Sequence, residues 1–150
     1  MSGLVLRAGR LEDLDALIAL ENRLFEGDRL SRRAMRYSLT SPTLVLPVAL
    51  YQGQIVGYGL VAFRKGSAFG RVTSIASDPE AGIKGIGRAV MGALAEAAKS
   101  RGCTRLRLEV RADNTRAIQI YERMGFVQFG TYADYYEDGT SALRFEKALV

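Results

Sequence analysis

Ser77-Asp78-Pro79-Glu80-Ala81-Gly82-Ile83-Lys84-Gly85-Ile86-Gly87-Arg88-Ala89 is the stretch on which the reading of this chain turns. Arg71 to Ser77 has the character of a strand. After the loop, Ile86, Val90, Ala93, Leu94 and Ala97 fall on one stripe of a helix running from about Gly85 to Arg101, which Gly102 ends. The first N–H groups of such a helix lack intrahelical partners, and its dipole end is positive. Gly85 and Gly87 have no Cβ, so a phosphate can approach the backbone, and Lys84 and Arg88 add positive charge there. The loop therefore suits a diphosphate. A dinucleotide fingerprint needs a third glycine where Val90 stands, and a P-loop needs Lys and Ser or Thr where Arg88 and Ala89 stand, so both fail. Taken alone, the loop is equally a glycine turn tucked under a sheet.

Upstream, Leu4, Leu6 and Ala8 alternate with Val5 and Arg7 as a short strand. Leu11, Leu14, Leu17, Ile18, Leu24 and Phe25 then recur at helical spacing, with Glu12 and Asp13 favouring the helix start. Ser31 caps a second short helix to Leu39. Leu44 to Tyr51 reads as one strand, and the turn Gln52-Gly53-Gln54 returns it as Ile55 to Phe63. Downstream, Arg105 to Val110 sends Leu106, Leu108 and Val110 inward and Arg107 and Glu109 to the other face. Asp113 or Asn114 caps a helix over Thr115 to Met124, which Gly125 stops. Phe126 to Tyr132 and Ala142 to Leu149 close the chain as an antiparallel pair around Glu137-Asp138-Gly139. Residues 1–150 read as one domain without repeats or linkers.

Composition bounds the chemistry. The chain has 150 residues, 48% of them hydrophobic and 25% charged, which suits a globular domain. Its net charge of +5 fits an anionic small ligand at least as well as nucleic acid, and neither a nucleic-acid partner nor a membrane is expected. There is no His, so His-based triads and His-ligated metals are excluded. The single Cys103 can make neither an internal disulfide nor a thiolate metal site, and filling the core or a strand edge is its expected role. No metal is expected. The longest apolar run, Leu44 to Tyr51, contains Pro47 and is too short to span a membrane, and Arg7 and Arg10 interrupt any signal segment. A cytoplasmic location follows as the expectation.

A second constellation lies downstream: Leu108-Glu109-Val110-Arg111-Ala112-Asp113-Asn114, then Ala117, Tyr121, Gly125 and Phe126. Asn114 and Tyr121 sit two turns apart on one helix face, and Glu109 lies near the carboxyl end of its strand. Ligands gather beyond such strand ends in open sheets, so Glu109, Tyr121 and the glycine loop are expected to converge. The loop Gly85-Ile86-Gly87-Arg88-Ala89, preceded by Ile75-Ala76-Ser77-Asp78-Pro79, resembles the acyl-CoA motif of the Gcn5-related N-acetyltransferases (GNAT superfamily). The block from Leu108 to Phe126 resembles that of the RimI-type bacterial N-terminal acetyltransferases, and the order of elements fits the whole chain.

The resemblance implies an α/β (α+β) fold: a mixed, mostly antiparallel central sheet of about seven strands with about four helices on its faces. It implies acetyl-CoA as co-substrate, with backbone groups of Ile75, Ala76 and Ser77 along the pantetheine arm. The N–H groups of Ile83, Lys84, Gly85, Ile86, Gly87 and Arg88 would hold the pyrophosphate, and Asn114 would meet the thioester end. Glu109 would be the general base and Tyr121 the general acid. The family usually has Gln or Arg where Gly82 stands, so a side-chain contact is lost and weaker cofactor binding is expected.

The reaction so implied moves an acetyl group from a thioester to a neutral amine. An α-amine titrates at about 8 and lysine at about 10.4, so an α-amine asks less of the base. Glu109 takes the proton directly or through one water, a strand N–H of Ile75 or Ala76 meets the oxyanion, and Tyr121 protonates the leaving thiolate. Tyr132, Tyr135 and Tyr136 precede the closing hairpin, where RimI-type enzymes carry a comparable pair beside the peptide site; simple hairpin packing is the other reading. The stretch Glu21 to Arg33 is where the family varies its acceptor pocket. A protein or peptide N-terminal α-amine is the leading acceptor, a small amine (polyamine, amino acid or drug) the second, and a CoA-binding module without turnover the third. The residues after Phe126 leave open a homodimer through sheet pairing.

Overall fold

The structure, a computed structural model, describes residues 3–27 and 29–149. Met1, Ser2 and Val150 lie outside the described residues, as does Asp28 in the charged stretch before the second helix. In chain order the elements are β1 (Leu4–Ala8), a 3-10 turn (Leu11–Asp13), α1 (Leu14–Leu24), α2 (Arg32–Thr40), β2 (Leu44–Val45), β3 (Pro47–Tyr51), β4 (Gln54–Ala62) and β5 (Phe69–Ser77). There follow α3 (Ile86–Ser100), β6 (Arg105–Arg111), α4 (Thr115–Arg123), β7 (Val127–Tyr132) and β8 (Ala142–Ala148). The strands form one sheet in the order β1-β3-β4-β5-β6-β8-β7, with β2 pairing the far end of β4. Only β5 and β6 run parallel, because the α3 crossover joins them; every other pair is antiparallel.

The sheet has eight strands where about seven are expected. The difference lies in the run Leu44 to Tyr51, which breaks at Leu46. Pro47 has no N–H and opens β3 as its first residue, while the Leu46 carbonyl accepts from the Gly9 N–H at 2.7 Å, one step beyond the last β1–β3 pair, Ala8↔Pro47. The expected first helix also starts differently, with a 3-10 turn held by the Asp13 carboxylate. Asp13 accepts from the Arg10 N–H at 2.8 Å and pairs with Arg7 at 2.7 Å. Ser31 caps α2 as expected, its hydroxyl accepting from the Ala34 N–H at 3.0 Å.

The helices cover two faces. On one, α3 lays Ile86, Val90, Met91, Leu94 and Ala98 on the sheet, joined by Leu106, Leu108, Val110, Phe126 and Phe145. Cys103 is buried in this cluster, as expected of it. On the other face, α1 and α2 pack Leu14, Leu17, Leu20 and Met35 against Val48, Tyr58 and Leu60. Two glycines of β4 set how closely α3 lies. A Cβ on Gly57 would stand 2.6 Å from the Ile86 side chain, and one on Gly59 would stand 2.7 Å from Val90. The other half of that second face, over β6, β8 and β7, has no helix over it among the described residues.

Candidate functional site

The ladder between β5 and β6 is short. It runs from Phe69↔Arg105 to Arg71↔Arg107 and stops. Both strands continue, β5 along β4 to Ser77 and β6 along β8 to Arg111, so their facing edges separate. On β5 the divergence coincides with a bulge at Thr73, between the pairs Leu60↔Ser74 and Val61↔Val72; bulges bend a strand in this way. A cleft of about 410 Å³ lies in the gap. Val72 to Ile75, Leu108, Glu109 and Tyr121 line it from β5, β6 and α4, Tyr58 from β4, and Glu21, Phe25 and Leu30 from α1 and the segment after it.

The glycine loop stands at the end of β5. Asp78 holds its entry: one carboxylate oxygen accepts from the Glu80 N–H at 2.9 Å and the other pairs with Arg23 at 2.9 Å. That guanidinium holds the Asp78 carboxyl below its usual range. Gly82 and Gly85 have φ of 80° and 87°, the left-handed region that favours glycine. A Gln or Arg at position 82 would be strained there. Gly87 differs: it lies within α3, and a Cβ on it would meet only the Ser77 hydroxyl, at 4.0 Å. Nothing in the fold therefore requires glycine at 87. Among the described residues no group accepts a hydrogen bond from the main-chain N–H of residues 82–88. The exposed Lys84 and Arg88 likewise have no ion-pair partner among them. Seven unpartnered donors, an open glycine and two free cations at one helix start fit a diphosphate.

Each anticipated residue has a place. Ile75, Glu109 and Tyr121 come together in the cleft. Ala76 is buried toward α1, and exposed Ser77 lies beside Gly87 at the loop. Ile83 packs against the α3-side core, and Ile86 is part of it. Asn114 caps α4, its side-chain oxygen accepting from the Ala117 N–H at 3.1 Å, and it does not line the cleft. Tyr121 is half-buried, its ring edge-on to Phe126 at 6.0 Å, and burial pushes its phenol up. Its hydroxyl has no hydrogen-bond partner among the described residues, so it is free to donate into the cleft.

Glu109 departs from the simplest expectation. Its carboxylate accepts from Arg71 Nε at 2.8 Å and from a second nitrogen of the same guanidinium, both on one oxygen. Arg71 also reaches the Tyr135 hydroxyl at 3.3 Å. Arg71 thus links Glu109 to the tyrosine cluster, a connection absent from the sequence reading. Glu21, read from the sequence only as the start of the variable acceptor stretch, proves to be a buried carboxyl in the cleft wall. It is 3% exposed, accepts from the Leu30 N–H at 2.8 Å through one oxygen, and has no partner for the other. Burial pushes its carboxyl up, partly opposed by the Leu30 N–H and the charge of Arg29. Tyr58, fully buried beside it in the cleft wall, also has an unpartnered hydroxyl. One signal pointed to Glu21: it continues the buried stripe Leu14, Leu17 and Leu20, where a carboxylate is out of place.

A second groove of about 590 Å³ adjoins on the open half of the sheet, lined by Arg64, Phe69, Arg71, Arg107, Glu109, Tyr132, Tyr135 and Arg144 among others. Tyr132 and Tyr135 stack at 5.5 Å, and Tyr136 meets Tyr135 edge-on. Arg111 anchors the turn that carries Tyr135 and Tyr136, bonding Asp113, Asp138 and Thr140. Arg111 holds the Asp138 carboxyl down to about 2. Glu109 faces both the cleft and the groove.

A splayed parallel pair, a helix start with unpartnered amides and a carboxylate–tyrosine cleft coincide with a family match. The acetyltransferase (GNAT) family matches residues 11–126. This chain belongs to the GNAT family. A GNAT relative, the [ribosomal protein bS18]-alanine N-acetyltransferase of Escherichia coli, is 41% identical over 63 residues, which are 42% of this chain and 43% of that protein. The chain thus covers less than half the length of that relative. An uncharacterised N-acetyltransferase of Methanocaldococcus jannaschii is 30% identical over 141 residues, 93% of this chain and 88% of that one. Among solved structures, the ribosomal-protein-S18-alanine N-acetyltransferase from Escherichia coli superposes with a TM-score of 0.83 at 24% identity, covering 97% of this chain and 94% of that one. That likeness is one of fold. Among the described residues no helix is long and apolar enough to cross a membrane.

Proposed function

We propose that this GNAT chain transfers an acetyl group from acetyl-CoA to a primary amine, and that the amine is the N-terminal α-amine of a protein or peptide. The observation that carries the reading is the row of unpartnered amides from residue 82 to 88 at the end of β5, where that strand parts from β6. Acetyl-CoA, when bound, supplies an activated thioester. The amides of Ile83 to Arg88 hold its diphosphate, and Lys84 and Arg88 offset the charge. The free edge of β5 from Ile75 to Ser77 offers main-chain groups to its arm, and Asn114, whose oxygen caps α4, is assigned to its thioester end.

The chain's own residues then divide the proton work. Glu109 accepts the proton from the incoming amine, directly or through a water, using the oxygen that Arg71 does not hold. Arg71 fixes the orientation of that carboxylate. An N–H of Ile75 or Ala76 donates to the oxygen on which negative charge develops. Tyr121, kept protonated by its burial, delivers a proton to the departing thiolate. The acceptor enters from the open side. A groove walled by tyrosines, with Glu109 the only carboxylate lining it among the described residues, beside four arginines, favours a peptide over a polycationic small amine.

Release of free thiol from acetyl-CoA in the presence of N-terminal peptides, ribosomal ones included, tests the reading. Transfer to the peptide α-amine is expected. Tyr121→Phe should lower kcat about a hundredfold, with acetyl-CoA binding retained. No thiol release with any amine, or both Tyr121→Phe and Glu109→Gln within about twofold of the parent, overturns it.

A further inference from the structure

Four arginines line the open groove, and their charges are unequally matched. Arg71 is paired with Glu109, and Arg107 with Glu146 at 3.1 Å. Arg64 and Arg144 have no carboxylate partner among the described residues. Arg144 is moreover held in place. Its guanidinium lies 4.2 Å from the centre of the Tyr132 ring and 4.6 Å from that of Phe129, and Arg107 lies 4.5 Å from the same Phe129 ring. Between these rings the Arg144 Nε–H is buried and has no acceptor. A buried charged donor without an acceptor is costly, and aromatic walls lower the cost without supplying one. The complement is an oxyanion, which the outer nitrogens of this fixed, planar guanidinium, at the groove wall, bind through two parallel bonds.

Resting on the peptide reading above, we infer that this groove selects acceptors carrying a side-chain carboxylate within the first few residues after the reacting amine. Arg144 is the specificity-determining contact and Arg64, exposed at the rim, adds attraction. The two ends of the site are then complementary to a short zwitterionic segment. Glu21 faces the cleft where the amine reacts, Glu109 stands where cleft and groove join, and the unmatched Arg144, opposite Glu109 on β8, and Arg64 face the groove. A basic peptide would meet like charge there and be disfavoured.

Initial rates on peptides of equal length and identical first residue test this, with Asp and Glu, Asn and Gln, or Lys and Arg in the next positions. The acidic peptide should exceed its amide isostere about tenfold in kcat/KM, mainly through KM, with the advantage falling as salt is raised. Arg144→Gln should bring that ratio to within about twofold. Arg64→Gln, at an exposed side chain that no fold contact uses, should lower it by a smaller factor. Equal rates on acidic and amide peptides overturn the inference and leave acetyl transfer standing. So does a ratio that neither variant alters. Faster turnover of free glutamate than of any peptide overturns the assignment to a peptide. Absence of transfer to every acceptor overturns the reading on which it rests, and the inference with it.

Discussion

Glycines with identical chemistry answer to different causes in this chain, and substitution separates them. Gly82 and Gly85 are demanded by left-handed backbone, whereas Gly87 has ordinary helical backbone and an open Cβ position. Gly87→Ala should therefore stabilise the free protein by about 0.4–1 kcal/mol, as read by denaturant unfolding. The same change should raise KM for acetyl-CoA about fivefold or more, since the methyl stands in the path of the phosphate. Stabilisation without weaker binding would mean that the cofactor does not use this turn. Glu21 makes a pH-dependent prediction. Its carboxyl is raised by burial, so its contribution to stability is complete below the ordinary carboxylate range and is lost as pH rises through the raised value. Glu21→Gln should thus raise Tm relative to the parent near neutral pH, and the gain should vanish in acid. Thermal unfolding across pH reads this directly, and a gain that persists in acid would contradict the burial argument.

Helix α3 and strand β4 show how packing decides what a glycine is for. At Gly59 a Cβ would stand 2.7 Å from Val90 and 2.9 Å from Leu94, while at Gly92, on the outer side of α3, it would meet nothing within 4 Å. Gly59→Ala should cost about 1–3 kcal/mol in urea unfolding by forcing α3 off the sheet. Gly92→Ala should instead stabilise by up to about 1 kcal/mol, through helix propensity alone. Opposite signs for one chemical change would establish that α3 sits at contact distance on β4. That contact matters for the site, because the first turn of α3 carries three of the unpartnered amides, those of residues 86–88. The turn after β7 is set differently. It is held by the Arg111 to Asp138 pair, and so its tyrosines are positioned by charge rather than by a core.

Across the molecule, the opening between β5 and β6 couples the loop, the cleft and the groove. Acetyl-CoA should slow amide hydrogen exchange at residues 82–88 and on the free edge of β5 more than in β1, β3 or β7. Protection spread evenly over the sheet would argue against binding in the opening. Much of this was legible beforehand. The inward and outward alternation of β6, the caps Ser31 and Asn114, the helix stops and the amide-rich loop are written within a turn or two of chain, and local sterics and hydrogen bonding decide them. The sheet gained a strand because Pro47 starts a ladder rather than continuing one. What no stretch of sequence contained was the point at which β5 and β6 part, the Arg71 partner of Glu109, the arrival of Glu21 and Tyr58 from the other face, and the arginine groove. Parallel register is set by the crossover helix and by packing across many residues of separation, and the short ladder leaves it to those distant contacts. Most element identities and the glycine-rich loop belonged to the sequence alone; which side chains meet around the opening was decided only when the sheet closed.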